Sequence, residues 1–207
     1  MLNNYYIQRN LKALNYYNGN LDEIWGPIER ESLKCFQRDF NLKYVDGIYG
    51  PESDEILQQV IKEMQVILGA KPDGMWGKET ENKYQNFNNI KNFKKSEFNC
   101  KCCGQGRIDI RLVKILDDIR NYYGKPLIIT SGCRCTKHNN ELSGSSKTSW
   151  HLISRGAKAS DFYVQGVKVT ELLSHCIDLR NQGKIRYTYT NNTSMNGVVH
   201  IDIGGIR

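Results

Sequence analysis

The sequence predicts an α+β protein in two parts, an all-α N-terminal part followed by a small domain that mixes helices with strands of an antiparallel sheet. Three observations carry this. A turn-and-helix motif recurs three times in the first 80 residues. Beyond residue 98 helical apolar spacing gives way in places to two-residue alternation. Between the two lies a polar, basic stretch, "NNIKNFKKSEF" (88–98), which is read as the boundary.

At 207 residues the chain has room for one large domain or two small ones, and 39% hydrophobic with 25% charged residues is a soluble globular balance. The net charge of +7 favours polyanions: nucleic acid, anionic lipid or the acidic polymers of a bacterial envelope. No basic run resembles a DNA-reading helix, so nucleic acid is set aside. No stretch approaches the roughly 20 apolar residues of a membrane span. The opening "MLNNYYIQRNLKAL" lacks a charged segment followed by an apolar core. The expectation is synthesis in the cytoplasm without a signal peptide, unless a leader has been removed, and a monomer.

In the first half the matching segments are "DEIWG" (22–26), "DGIYG" (46–50) and "DGMWG" (73–77). Each precedes a helix start: Pro27 and Pro51 suit a first helical position, and Glu29, Glu31, Glu52, Asp54, Glu79 and Glu81 suit the first turns. Ile7, Leu11 and Leu14 recur at helical spacing, as do Val60, Met64 and Ile67. Leu33, Phe36 and Phe40 continue one unit, and Tyr84 with Phe87 the next. Residues 1–61 thus read as a three-helix unit, and 62–90 as a partial second copy. Trp25, Tyr49 and Trp76 read as core residues, with ligand contact the alternative.

In the second half "DIRLVKILDDIRNYYG" is an amphipathic helix closed by Gly124, with Ile110, Val113, Leu116 and Ile119 on its apolar face. "PLIIT" (126–130) and "ASDFYV" (159–164) read as strands, the first buried. "VTELLSHCIDLRNQG" is a second helix, and "KIRYTYT" and "GVVHIDIG" are alternating strands.

Alternation places Val198, His200 and Asp202 on one face of the last strand. Burying such a pair without partners would cost several kcal/mol, which a metal ion would offset. Asp161 lies beside the apolar run "FYV", and His151 in a Ser- and Gly-rich loop. Two imidazoles and a carboxylate suffice to hold Zn2+ while leaving a fourth position open.

Two resemblances extend this reading. "CFQRDFNLKYVDGIYGP" (35–51) resembles type 1 peptidoglycan-binding domains, which implies a wall-binding module over 1–90 and bacterial peptidoglycan as partner. "SGCRC" (131–135), "SWHLISRGAKASD" (149–161) and "VVHID" (198–202) resemble the M15 family of zinc peptidases over 93–207, as do "FKKSEFNCKCCG" and "CTKHN". These are carboxypeptidases and endopeptidases of peptidoglycan stem peptides. The resemblance implies that His151, Asp161 and His200 are zinc ligands and that Ser149 belongs to the substrate-binding S-x-H pair. It also implies that Arg134 holds a substrate carboxylate or stabilises transition-state charge. The family spaces its histidine and aspartate seven apart; here the separation is ten, as if three residues were inserted between Leu152 and Ala157. Some branches place an acidic residue or second histidine shortly before the last ligand, but 190–199, "TNNTSMNGVV", holds neither. Asp202 is then the candidate for general base or for orienting a ligand.

Seven cysteines are present, five of them as Cys100, Cys102, Cys103 and Cys133, Cys135. They fit disulfides, free thiols or a second, structural zinc. His138 reads as a loop residue and His175 as a surface residue of its helix. The function that follows is hydrolysis of a stem-peptide bond by a phage endolysin. The competing readings are a host D-Ala-D-Ala carboxypeptidase and a non-catalytic wall-binding protein with a structural zinc.

Overall fold

The computed structural model describes residues 1–190 and 197–206. The described chain divides into two compact units, Met1–Asn89 and Ile90–Ile206. The first is all-α and the second builds a four-stranded antiparallel sheet, so the fold is α+β.

The first unit contains α1 (Asn4–Ala13), α2 (Pro27–Asp39), α3 (Pro51–Leu68) and α4 (Lys78–Gln85). Pro27 and Pro51 open their helices, where a missing N–H costs nothing. Leu11, Leu33, Phe36, Phe40, Leu57, Val60, Ile61, Leu68 and Tyr84 are fully buried in it. Ile67, expected on the buried stripe, is only half-buried, because the stripe closes through Leu68 instead.

Each repeated turn is held by one glutamine. The Gln37 amide donates to Asp46 Oδ1 (3.1 Å), the Ile48 carbonyl (3.2 Å) and Ser53 Oγ (3.2 Å), while its oxygen accepts the Gly47 N–H (2.9 Å). Gln65 repeats all four bonds on Asp73, Met75, Thr80 and Gly74. Gln8 does the same on Asp22, Ile24, Glu29 and the Glu23 N–H. These bonds satisfy turn backbone groups that burial would otherwise strand. The third turn also joins α1: Asn10 donates to the Gly74 carbonyl (2.9 Å) and accepts the Trp76 N–H (2.9 Å). Of the three repeated aromatics only Trp76 is core, at 1% exposure. Trp25 and Tyr49 are half-buried, and the Tyr49 hydroxyl donates to Asp54 (2.8 Å).

The polar stretch expected to separate the domains is structured from Ile90 onward. The Asn92 N–H and side-chain amide donate to Asp117, and its carbonyl accepts from Arg120 (2.9 Å). Phe93 and Phe98 are buried with rings 5.6 Å apart. One anchor before a short 3-10 turn (Lys95–Phe98) and one at its end leave no helical period to read.

The second unit continues with α5 (Ile110–Tyr123), β1 (Leu127–Ser131), α6 (Thr136–Glu141), β2 (Ala159–Val164), α7 (Val169–Asn181), β3 (Tyr187–Thr190) and β4 (Val199–Asp202). The strand order is β1-β2-β4-β3, antiparallel throughout. This corrects the reading of "PLIIT" as buried: β1 is an edge strand, and of its side chains only Leu127 is buried. Phe162, Val199 and Ile201 are fully buried, and α5 and α7 pack against the sheet.

Candidate active site

Strand register assembles most of the site. Asp161 on β2 pairs with His200 on β4, and His200 pairs with Tyr189 on β3. Ser131 of β1 pairs with Asp161 after a bulge. Directly opposed residues share a sheet face, so Ser131, Asp161, His200 and Tyr189 form one row across four strands. Asp202, two residues beyond His200, lies on the same face.

His151 joins this row from a loop. Its backbone carbonyl accepts the Arg134 N–H (2.8 Å), and its own N–H reaches Ser149 Oγ (3.3 Å). The neighbouring Trp150 carbonyl accepts the Lys158 N–H (2.7 Å). The ten-residue spacing is absorbed locally: Ile153–Arg155 form a single 3-10 turn, closed by Gly156 at φ 88°. Ala157 then returns its N–H to the Leu152 carbonyl (3.0 Å), so the chain re-enters where it left and the extra residues do not displace His151. Trp150 packs so closely on Gly204 that a Cβ there would lie 2.0 Å from its ring.

Nε2 of His151, Oδ1 of Asp161 and Nδ1 of His200 converge. His151 Nε2 lies 3.2 Å from Asp161 Oδ1 and 3.3 Å from His200 Nδ1, which in turn lies 2.7 Å from Asp161 Oδ1. Each of the three has a second partner on its far side. His151 Nδ1 is 2.8 Å from the Gly132 carbonyl, which can only accept, so Nδ1 carries the hydrogen and Nε2 presents its lone pair inward. Asp161 Oδ2 accepts from Arg134 (2.7 Å), whose Nε donates to Ser131 Oγ (2.9 Å). His200 Nε2 faces Asp202 Oδ2 at 3.6 Å. Outer partners of this kind fix the tautomer and orientation of ligand side chains.

The electrostatics suit a cation. Burial holds His151 below the ordinary imidazole value, opposed only in part by Asp161. Burial works against ionisation of Asp161, yet the His151 and His200 rings keep it well below the usual carboxylate range. His200 is the reverse: burial would lower it, but Asp161 and Asp202 outweigh that and raise it. A neutral imidazole, a carboxylate and an imidazole between two carboxylates form a donor set that fits a divalent metal.

The remaining expected residues take these places. Ser149 supports the His151 loop through its hydroxyl. Arg134 is engaged by Asp161 and Ser131 within the chain. Asp202 stands behind His200 and accepts the Gly204 N–H (3.2 Å). His175 is half-buried, its ring 4.3 Å from that of Tyr122. His138 is not a loop residue; it lies in α6 with Nδ1 3.4 Å from Cys100 Sγ. Six of the ten residues at 190–199, those at 191–196, lie outside the described residues.

One neighbour escaped the sequence reading. The Tyr189 ring centre lies 4.9 Å from that of His200, and Tyr187 lies 5.6 Å from Tyr189. Burial raises the Tyr189 hydroxyl, so it keeps its proton at neutral pH. Its signal was the pairing of "YTY" with "HID", which only strand register reveals.

Comparison with known families matches residues 91–202, more than half of the chain and the whole of this site, to the Peptidase M15 model. Residues 5–53 match a peptidoglycan-binding domain model. No curated protein matches the chain.

Proposed function

The chain belongs to the Peptidase M15 family, and from that premise we propose that it is a zinc-dependent peptidase that cuts a stem-peptide bond of bacterial peptidoglycan. The convergence of His151 Nε2, Asp161 Oδ1 and His200 Nδ1, all within 4.8 Å, carries this reading. These three atoms would hold the ion. When bound, zinc supplies Lewis acidity that polarises a carbonyl and acidifies water.

The chain's own residues set the conditions for that chemistry. The Gly132 carbonyl keeps His151 in the tautomer that offers Nε2. Arg134 occupies Asp161 Oδ2 and leaves Oδ1 free to face the histidines. Asp202 orients His200 from behind, which makes it a positioning residue rather than the general base. Tyr189, protonated and 40% exposed, offers a hydrogen-bond donor and an aromatic surface beside His200.

The peptidoglycan-binding domain supports the wall as the place of action, because tethering raises the local concentration of substrate around the peptidase. Among the described residues no helix is long and apolar enough to cross a membrane. We read the pairing as that of a monomeric lytic enzyme of the phage endolysin kind. Mass spectrometry of muropeptides released from purified walls tests it. A new terminus inside the stem peptide is expected, loss of terminal D-Ala alone would identify a carboxypeptidase, and intact walls would leave only wall binding.

A further inference from the structure

A second group of side chains able to hold a metal ion lies outside this site. The Sγ atoms of Cys100, Cys103 and Cys135 all lie within 4.8 Å of one another. His138 Nδ1 is 3.4 Å from Cys100 Sγ. Cys102 and Cys103 are both exposed, but only Cys103 belongs to this group, and with Cys102 passed over the spacings become C-x2-C (100–103) and C-x2-H (135–138). At such spacings one turn delivers two ligands to a structural zinc.

We propose that Cys100, Cys103, Cys135 and His138 form a second, structural zinc site, which staples the 100–103 turn to the loop that carries Arg134.

The Cys100–His138 separation of 3.4 Å suits the ion, while His138 stands outside the group of three sulfurs that all lie within 4.8 Å of one another and would turn its ring toward the other two. With Zn–S near 2.3 Å and Zn–N near 2.05 Å, a tetrahedral site separates sulfurs by about 3.8 Å and sulfur from nitrogen by about 3.5 Å. The backbone is arranged for thiolates. Cys100 Sγ accepts the Cys135 N–H (3.4 Å) and the N–H groups of Cys102 and Cys103. Cys135 Sγ caps α6 by accepting the His138 N–H (3.4 Å). Such donors disperse the negative charge that several thiolates leave around one divalent ion. Cys133 and Cys176, both buried, stand outside this group.

The staple acts where the peptidase site is held. The 100–105 turn closes on itself through Cys100 N–H to the Gln105 carbonyl and Gly104 N–H to the Cys100 carbonyl, both 2.8 Å. Cys133 donates its N–H to the Phe98 carbonyl (2.8 Å). Arg134, between Cys133 and Cys135, reaches Asp161. The two proposed metal sites share no ligand, so each stands or falls separately.

The test counts and identifies the ions in the full chain, purified under reducing conditions with zinc. About two zinc ions per chain are expected by emission spectroscopy, and Cys103→Ser is expected to lose one of them. Cobalt exchange identifies which: thiolate-to-cobalt charge-transfer absorption appears in the wild type and in His151→Ala, and disappears in Cys103→Ser. Cys102→Ser leaves both count and absorption unchanged. If Cys103→Ser does not fold, mercurial titration of the wild type replaces it, with zinc release tracking modification of Cys100, Cys103 and Cys135. A wild type with one zinc and the charge-transfer band supports this site while removing the other. A cobalt-loaded wild type without that band, or a non-reduced intact mass with these cysteines joined in a disulfide, overturns the proposal.

Discussion

Arg134 donates to Oδ2 of Asp161 at 2.7 Å, and the two side chains are nearly buried together, each at 12% exposure. The same guanidinium reaches Ser131, so a planar fork fixes the carboxylate and leaves Oδ1 to the histidines. Arg134→Lys keeps the charge but cannot make both contacts. Zinc affinity at the His151–Asp161–His200 site is expected to fall about 10–100-fold, as for other lost outer partners. Competition with a chelator measures it, and an unchanged affinity would show that the fork is dispensable.

Asp202→Asn separates orientation from proton transfer. An asparagine can still face His200 Nε2 but carries no charge, so metal affinity and activity are expected to fall together, by about 10–100-fold. A variant that binds zinc at wild-type strength yet is inactive would instead make Asp202 the base, the role set aside above.

The raised value of His200 predicts a pH dependence. In metal-free protein its proton contributes stability that is fully present below the unfolded value of 6.5 and lost as pH rises through the higher folded value. A metal must displace that proton, so the increase in Tm on adding zinc should grow as pH rises from below 6.5 through the higher folded value of His200. Scanning calorimetry of Cys103→Ser, which isolates this site, checks it. A zinc-induced shift independent of pH would contradict the assignment of the proton to His200.

Gly204→Ala tests the support beneath His151. A methyl group would meet the Trp150 ring at 2.0 Å, which forces ring or backbone to move. Arg155 stacks 4.0 Å from the centre of that ring, so the 149–158 loop should loosen as one piece. The expected cost is about 1–3 kcal/mol, read as a lower denaturation midpoint with faster amide exchange across the loop.

In the first unit, Gln65→Met keeps the length of the side chain and removes its four bonds. It strands the buried Gly74 N–H and the Met75 carbonyl, at an expected cost of about 2–4 kcal/mol. Urea unfolding followed by Trp fluorescence should show the loss. A change under about 0.5 kcal/mol would mean that water replaces the glutamine.

Much of this molecule is legible in its sequence, because local chemistry decides it. Pro27 and Pro51 mark helix starts, Gly124 ends α5 in the left-handed region (φ 58°), and alternation in "VVHIDI" puts His200 and Asp202 on one face. The M15-like motifs single out His151, Asp161 and His200 without coordinates. Tertiary structure decided what depends on register and return paths. The pairing of Asp161 with His200 and of His200 with Tyr189 is a property of three strands separated in the chain. The tolerance of a ten-residue spacing rests on a 3-10 turn that gives back the length it takes. Gln8, Gln37 and Gln65 precede their turns by different intervals, so no fixed spacing exposes their shared role. Cys100 and His138 are 38 residues apart, and only folding brings a sulfur and a ring nitrogen within reach of one ion. Motifs name the donors because side-chain chemistry is local; which donors meet is set by packing, which is not.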